Sequence, residues 1–533
     1  MHSQKTDILI VGGGLGGVAA ALAATDAGFR VILTEECDWL GGQLTSQAVP
    51  PDEHPWIEKF GCTRRYAELR EGVRKFYRDH FPLNETARKN GSLNPGGGTV
   101  SKLCHLPEIS AQVIFNMLAP AKAAGKLKIF LRCRPTAVSG SLEHIDIVQF
   151  VHIENGKVLE VAAKMVIDAT ETGELLPLAE IDWVTGAESR AEFGEPHAPE
   201  NANPEDVQSI TWCFPLAFDA SVNAPVEEYR ISKPAQYERW KNYIPELTPP
   251  WPGRALDLCY SNPKTCQPVE FPLFPDPENP RQWNLWRYRQ ILDPDIFTDS
   301  GSWHPVTLVN WPQNDYYLHN LIGKSWEEQQ EILEEARQLS LSFAYWLQNE
   351  VPRPDGKTGY PGLYLRPDIA GTSDGLAKAA YIRESRRIKA LTTVTECDIG
   401  TNVRGERWPE FVETSVGVGS YRMDLHPSTA GRNYVDIGCY PFQIPLGILI
   451  PRAHRNLLAG AKNVGTTHIT NGAFRLHPVE WNIGEAAGAL AVFCLQKNQC
   501  PAQVHECPTR RKEYQSFLTD QGIEISWPAL HAR

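Results

Sequence analysis

A cluster of glycines near the start of the chain has the spacing of a tight phosphate-binding turn. Gly12, Gly14 and Gly17 occupy the three fixed positions of the pattern G-x-G-x-x-G. The first glycine allows a sharp bend, the second lets the backbone approach a pyrophosphate, and the third lets the following helix pack closely on the strand. A helix N-terminus also favours negative charge, so the predicted binding turn includes Leu15 and Gly16.

An acidic residue stands where such a turn requires one. Glu35 lies about twenty residues beyond the glycines, where its carboxylate can accept hydrogen bonds from a ribose diol. Glu36 is adjacent and is the alternative for the same contact. The glycines also suit a turn in an α/β domain that binds no nucleotide, and the acid in this place argues against that interpretation.

The hydrophobic pattern predicts a strand–helix–strand unit that presents this turn. Residues 7–11 form a continuous apolar run, which is typical of a strand buried on both faces of a parallel sheet. An alanine-rich helix over 16–26 and a strand over 30–34 complete the unit. Later predicted elements are a surface excursion over 50–100, a helix over 107–124, strands over 127–132, 144–152, 157–161 and 164–169, a helix over 315–349, a strand over 456–460 and a helix over 479–495.

Three separated segments resemble the cofactor-contacting parts of known flavoproteins. They are residues 40–43 (Leu-Gly-Gly-Gln), residues 166–174, and residues 456–488, which hold a late strand and a Gly-Ala-rich helix. In this order they are similar to the FAD-dependent oxidoreductase superfamily that includes glutathione reductase and the fumarate reductase flavoprotein, and more closely to the bacterial FAD-dependent oxidoreductase family. The resemblance implies FAD as cofactor, with further contacts from Gly41, Gly42, Gln43, Ala169, Thr170, Gly460, Gly472, Gly484, Ala486 and Ala487.

The resemblance also implies the fold. We expect an α/β protein with a discontinuous Rossmann-like FAD-binding domain, formed by residues 1–190 and 371–500. Residues 191–370 are rich in Pro, Trp and Tyr and are predicted to be an inserted, mixed, β-rich substrate domain. Residues 501–533 are treated as a C-terminal tail. The active site is expected between the two domains.

Three residues are candidates for catalysis. Arg475 and His477 lie between two segments implied to contact the cofactor, where a cation stabilises anionic flavin and a histidine takes a substrate proton. Arg383 belongs to a basic group with Arg386 and Arg387, whose i, i+3, i+4 spacing would place them on one helix face. This group fits either a substrate carboxylate or FAD phosphate, or a structural network with Glu384 and nearby acids.

Cys104 and His105 follow a run of three glycines at 96–98. They suit a covalent flavin link or a reactive thiol beside a base, or simply a buried cysteine with a capping histidine. No triad partner is assignable, which favours the structural interpretation.

Composition excludes several classes of function. The formal charge of −12 argues against nucleic acid as a partner, and no apolar run has the length of a membrane span. The 12 cysteines show neither CxxC nor metal-ligand spacing, so we expect reduced thiols in a cytoplasmic protein and no bound metal.

The sequence therefore predicts a FAD-dependent dehydrogenase or oxidase that transfers a hydride between a small organic substrate and flavin, with an unidentified electron acceptor. A flavin monooxygenase or halogenase that uses an external reductant is one alternative. A non-enzymatic flavoprotein that relays electrons is the other.

Overall fold

The computed structural model describes residues 2–528 except 277, 280, 281, 406 and 410. The strands are β1 (His2–Val11), β2 (Val31–Glu35), β3 (Leu127–Leu131), β4 (Cys133–Ser141), β5 (His144–His152), β6 (Val158–Asp168), β7 (Trp183–Val184), β8 (Ile210–Thr211), β9 (Phe214–Phe218), β10 (Cys259–Ser261), β11 (Pro268–Glu270), β12 (Gln290–Leu292), β13 (Val306–Val309), β14 (Asp315–Tyr316), β15 (Leu363–Leu365), β16 (Tyr381–Ile382), β17 (Arg387–Ile388), β18 (Ser415–Gly419), β19 (Met423–Leu425), β20 (Val435–Ile437), β21 (Phe442–Pro445) and β22 (Leu457–Ala459). The α-helices are α1 (Leu15–Asp26), α2 (Arg64–His80), α3 (Glu85–Lys89), α4 (Pro107–Ala123), α5 (Leu175–Leu178), α6 (Arg190–Phe193), α7 (Tyr237–Asn242), α8 (Leu285–Tyr288), α9 (Trp326–Asn349), α10 (Pro367–Ala370), α11 (Glu396–Ile399), α12 (Thr401–Arg404), α13 (His468–Phe474), α14 (His477–Lys497), α15 (Pro501–Glu506) and α16 (Pro508–Asp520).

The central sheet carries the predicted strand–helix–strand unit. Its order is β3-β2-β1-β6, and β22 pairs with the far side of β6. All of these neighbouring strands run parallel. Ile8, Leu9 and Ile10 of β1 are fully buried, because a continuous apolar strand can be covered on both faces. The α/β class and the parallel, Rossmann-like sheet are confirmed.

Strand β6 joins two kinds of pairing along one edge. Its first half pairs antiparallel with β5, which in turn pairs with β4. Its second half pairs parallel with β22. The two strands predicted over 157–161 and 164–169 are therefore one continuous strand.

Close backbone contacts set the position of α1. A Cβ built on Gly16 would lie 2.0 Å from the carbonyl oxygen of Gly460, and one on Gly484 would lie 2.0 Å from the carbonyl oxygen of Gly16. One helical turn further on, a Cβ on Gly488 would lie 2.5 Å from Ala20 O. Only glycine permits α1, the end of β22 and α14 to approach one another this closely.

The chain between β6 and β22 contains several small antiparallel sheets, whose strands are two to five residues long. The largest has the order β12-β13-β9-β15, and another has the order β14-β8-β16. Strand β16 lies beyond residue 370 and pairs with β8, so one small sheet spans the predicted domain limit. The limits themselves remain a prediction.

Two predicted segments differ from the structure. The helix predicted over 315–349 begins at Trp326, because Ser325 and Glu328 form a capping box, while residues 315–316 form a strand. The segment 50–100 is not wholly irregular, since it contains α2 and α3. None of the described helices is both long and apolar enough to cross a membrane.

Replacing Gly484 by alanine should destabilise the protein. Alanine is the better helix former, so any loss comes from the clash of its Cβ with Gly16 O. Overpacking of this kind costs roughly 1–3 kcal/mol. Urea unfolding measures the difference, and Gly91→Ala, which meets nothing within 4 Å, is the control. A Gly484→Ala protein as stable as the wild type would contradict the close packing.

Candidate functional site

The glycine turn has the geometry that its spacing predicts. Gly12 has a φ of +97°, and its Cβ would lie 2.2 Å from Ala169 O. A Cβ on Gly17 would lie 1.9 Å from the carbonyl oxygen of Gly12. Helix α1 begins directly after Gly14, which caps it with no side-chain hydrogen bond. No side chain of the cap residue therefore covers the backbone amides in the first turn of α1.

Gly14 and Gly42 face each other across a narrow space. A Cβ on Gly42 would lie 2.9 Å from the Cα of Gly14. The atoms nearest a Cβ on Gly14 are carboxylate oxygens, of Glu171 at 3.2 Å and Glu480 at 3.4 Å. A Cβ on Gly14 would therefore meet side-chain atoms first, whereas a Cβ on Gly12 or Gly17 would meet backbone atoms.

A buried charged group surrounds this space. Lys462 bonds to Glu171, and its Nζ lies 3.9 Å from Glu480. Glu480 accepts hydrogen bonds from Gly16 N at 3.3 Å and from the Gln43 amide at 2.5 Å. Burial raises the pKa of Glu480, while Lys462 opposes that rise. Lys462 and Glu480 were not singled out from sequence, although both lie within the late segment that carries the resemblance.

Glu35 ends β2 where the predicted acid should stand. Its carboxylate accepts from Gly13 N at 2.6 Å and from Cys37 N at 2.8 Å. Burial raises the pKa of Glu35 to about 7. Glu36, the next residue, is exposed. Contact of either acid with a ribose remains a prediction.

The second segment passes directly below the turn. Ala169 N donates to Val11 O at 2.7 Å, and Asp168 accepts from the amide and hydroxyl of Thr170 at 3.0 and 2.6 Å. Burial raises the pKa of Asp168 to about 7. Ala169 and Thr170 are thus next to Gly12, as predicted, and their contact with a cofactor is untested.

The small residues of the third segment pack against protein backbone. Gly460 and Gly484 lie against α1, and a Cβ on Gly472 would be 2.8 Å from Asp424 N. Ala486 and Ala487 are fully buried, with Ala486 O accepting from Tyr514. Packing accounts for these small residues, and their predicted role in binding a cofactor remains a prediction.

Arg475 connects the glycine pair to the short strands β16 and β19. Its carbonyl oxygen accepts from the Gln43 amide at 3.0 Å. Its guanidinium donates to the Tyr381 hydroxyl at 3.0 Å and to Asp424 O at 3.1 Å. Burial opposes the charge of Arg475, but Tyr381 and Asp424 outweigh it and raise its pKa. Arg475 therefore lies beside the predicted cofactor segments as a charged group.

His477 has both ring nitrogens engaged by backbone. Asp52 N donates to Nδ1 at 3.1 Å, so Nε2 carries the proton and donates to Val49 O at 3.1 Å. Burial lowers the pKa of His477 to about 3. The ring is thus a neutral link between α14 and the segment 49–52.

The predicted helix face of Arg383, Arg386 and Arg387 does not exist. These residues flank the short strands β16 and β17 and point to separate partners. Arg383 pairs with Asp315 at 3.0 Å, and Arg387 pairs with Glu384 and Glu188 at 2.5 and 2.7 Å. Arg386 donates to Thr172 O. These contacts are those of a structural network, and the Arg383 guanidinium also lies 5.0 Å from the centre of the Tyr381 ring. The catalytic role of Arg383 remains a prediction.

Cys104 and His105 are also held by local contacts. The two nitrogens of His105 lie 2.7 Å from Leu103 O and 2.5 Å from the Ser110 hydroxyl. Burial raises the pKa of the Cys104 thiol to about 12, so the thiol stays protonated. These contacts match the structural interpretation.

The comparison with protein families decides the relationship. A family profile described as "FAD dependent oxidoreductase" matches residues 7–518. The chain belongs to this family. FAD is its cofactor and it is an enzyme of the oxidoreductase class. No curated protein matches the chain.

Solved structures give weaker similarities. A geranylgeranyl bacteriochlorophyll reductase-like protein from Thermoplasma acidophilum is 11% identical over 98% of this chain and 85% of its own, with a TM-score of 0.32. L-proline dehydrogenase from P. horikoshii is 20% identical over 35% of this chain and 24% of its own, with a TM-score of 0.17. Mycobacterium smegmatis Sdh1 is 14% identical over 39% of this chain and 45% of its own, with a TM-score of 0.24. The chain spans less than half the length of the last two, and such similarities say nothing about its substrate.

The residues at the glycine turn fit FAD. The amide of Gly16 in the first turn of α1 binds an anion, the carboxylate of Glu480, as it would bind a pyrophosphate oxygen, and Lys462 is the cation beside it. Gln43 Oε1 and Asn471 Oδ1 are buried without a hydrogen-bond partner and suit the hydroxyl groups of a ribityl chain.

Gly14→Val should abolish FAD binding, because the branched side chain would fill the space between Gly14, Glu171 and Glu480. Gly91→Val is the control, since its position is open. Absorbance of the purified proteins gives the cofactor content, and mass spectrometry after acid precipitation should find intact FAD in the supernatant. A yellow Gly14→Val protein, or FMN in the wild type, would contradict this assignment.

His477→Gln should make the free energy of unfolding depend less steeply on pH below pH 7. With a pKa of about 3 in the folded chain against 6.5 ordinarily, His477 takes up a proton only on unfolding between these values. Wild-type stability should therefore fall with decreasing pH by up to about 1.4 kcal/mol per pH unit more than that of the variant.

Urea unfolding of both proteins between pH 7 and pH 4 measures this difference in slope. His319→Gln, which replaces an exposed histidine, should keep the wild-type slope. Equal slopes in the wild type and His477→Gln would show that the folded protein does not hold His477 neutral.

Proposed function

We propose that this flavoenzyme is a dehydrogenase or oxidase that moves a hydride between a small organic substrate and FAD. The observation that supports the proposal is a sheltered polar cluster around Arg475. Arg475 donates to Tyr381 and to Asp424 O, and Arg289 lies 3.5 Å from Asp52 and 5.1 Å from the centre of the Tyr288 ring. The charge of Asp52 raises the pKa of both arginines. Buried tyrosine, arginine and carboxylate groups of this kind orient a small polar substrate.

The cluster is next to the predicted cofactor segments. Gln43 contacts both Glu480 at the glycine turn and the carbonyl oxygen of Arg475. Asp52 is fixed by its amide hydrogen bond to His477, at the first residue of α14. FAD, when bound, supplies the two-electron acceptor or donor for the reaction.

Tyr381 is our candidate for proton transfer. Its oxygen accepts a hydrogen bond from Arg475, which leaves the hydroxyl able to exchange a proton with a substrate. The hydroxyl gives its proton when flavin reduces the substrate, and the deprotonated oxygen takes the substrate's proton when hydride passes to flavin. The adjacent guanidinium would stabilise negative charge on that oxygen after the proton leaves. His477, with both nitrogens engaged, is assigned instead to positioning the segment 49–52.

Anaerobic mixing with small alcohols, amines and hydroxy or amino acids tests the function. One of these classes should bleach the flavin absorbance of the wild-type protein, whereas NAD(P)H alone should not do so rapidly. Rapid bleaching by NAD(P)H, with no effect of any organic substrate, would favour a monooxygenase and overturn the proposal.

With the substrate identified, Tyr381→Phe should slow flavin reduction by roughly 10²–10⁴-fold while FAD remains bound. The pH dependence of the remaining reduction should also change, because the transferring group is gone. Tyr440→Phe, which removes a hydroxyl bonded to Gly405 O, is the control. A Tyr381→Phe enzyme with the wild-type rate and pH profile would exclude Tyr381 from proton transfer.

A further inference from the structure

Arg289 keeps hydrogen-bond donors unused inside the protein. The residue is 9% exposed, and its Nε and Nη1 have no hydrogen-bond acceptor. Four other buried arginines leave only Nε unpaired, and among the described residues Arg289 alone leaves a buried Nη nitrogen without a partner. Buried charged donors without acceptors are costly, so this arrangement calls for a ligand.

The electrostatic partners of Arg289 are few. Its Nη1 lies 3.5 Å from Asp52 Oδ2, and its guanidinium lies 5.1 Å from the centre of the Tyr288 ring. By contrast, Arg387 is bonded to two carboxylates, Glu384 and Glu188. Arg289 is thus charged and sheltered but only loosely paired.

The backbone of Arg289 is held firmly. Arg289 stands between α8 and β12, and its carbonyl oxygen accepts from Leu308 N at 2.9 Å. A Cβ on Gly96 or Gly98 would lie 2.3 or 2.6 Å from Gln290 O, so the glycine loop packs directly on the next residue. A fixed backbone beneath free donors is the arrangement of a preorganised binding group.

Arg289 and Arg475 belong to the same cluster. Asp52, which pairs with Arg289, is fixed to His477, two residues beyond Arg475. The charge of Asp52 raises the pKa of both Arg289 and Arg475. The two guanidinium groups therefore share Asp52 as a neighbouring carboxylate.

We propose that Arg289 binds a carboxylate of the substrate, which makes the substrate class a small organic carboxylate. This inference rests on the proposed function, since it places the ligand in the same cluster. A carboxylate accepts two hydrogen bonds from one guanidinium. A phosphate carries more charge and would meet Asp52 and Asp424 with a single loosely paired cation, so a monoanionic group fits better.

The FAD-loaded protein should bind simple carboxylates. Acetate, succinate and benzoate, titrated at constant ionic strength, should perturb the visible flavin spectrum, whereas acetamide and benzamide should not. Arg289→Gln should weaken carboxylate binding roughly tenfold to a hundredfold. Arg289→Lys should retain part of the affinity, because the charge stays while the fork is lost.

Two further variants keep the test independent of folding defects. Asp52→Asn should strengthen carboxylate binding severalfold, since it removes the anion that competes for Arg289. Arg239→Gln, which removes one exposed positive charge, should bind as the wild type does. Equal affinity in Arg289→Gln and wild type, or no difference between acetate and acetamide, would overturn the assignment.

The two proposals fail separately. A FAD-loaded wild type that is reduced by a neutral substrate and ignores carboxylates would refute the role of Arg289 alone. A protein that binds carboxylates through Arg289 but is reduced by none of the organic compounds would refute the dehydrogenase or oxidase function alone.

Discussion

Helix α1 is in direct backbone contact on three sides, and the rest of the structure depends on that contact. Its first turn rests on the carbonyl oxygens of Gly12 and Gly460 and against Gly484 of α14. The helix therefore cannot shift without moving the sheet and α14 together. Since α1 presents its first amides at Gly14, the same packing fixes the turn at which the sequence predicts a pyrophosphate to bind.

Buried charge is concentrated on either side of this contact. On one side Lys462 lies between the carboxylates of Glu171 and Glu480 near the glycine pair. On the other side Arg475 lies beside Asp424 within the proposed substrate cluster. Gln43 bonds to both Glu480 and Arg475, so the two groups share one side chain. The side-chain amide of Gln43 is therefore a direct hydrogen-bonded link between the glycine turn and the cluster around Arg475.

The most accurate predictions from the sequence come from short motifs of neighbouring residues. The roles of Gly12 and Gly17 follow from a turn of six residues, and their geometry agrees with them. The start of α9 can also be read from the sequence, since Ser325 and Glu328 have capping-box spacing. The predicted helix over 315–349 does not take this signal into account. Helix α2 carries an apolar stripe with helical spacing, formed by Tyr66, Leu69, Val73 and Tyr77, which could have predicted it. The stripe is interrupted by Arg65, Arg70 and Arg74, which form buried ion pairs and look like surface residues in the sequence.

Long-range partners could not be read in this way. Arg383 bonds to Asp315, and Arg289 lies beside Asp52. The spacing of these residues along the chain predicts neither pair. The basic group at 383–387 was assigned to one helix face because its spacing suits a helix, whereas the strands β16 and β17 separate its side chains. Burial and pairing of these arginines are set by tertiary contacts alone.

The order in which the chain is synthesised gives the three-part site a further consequence. The turn at Gly12–Gly17 emerges first, but β22 and α14, which pack against it, are made only when more than 450 residues have been added. Until then α1 exposes the face that Gly484 and Gly488 later cover. The nascent chain therefore exposes one face of a hydrophobic helix through most of translation, and the packing around the glycine turn is completed only near the end.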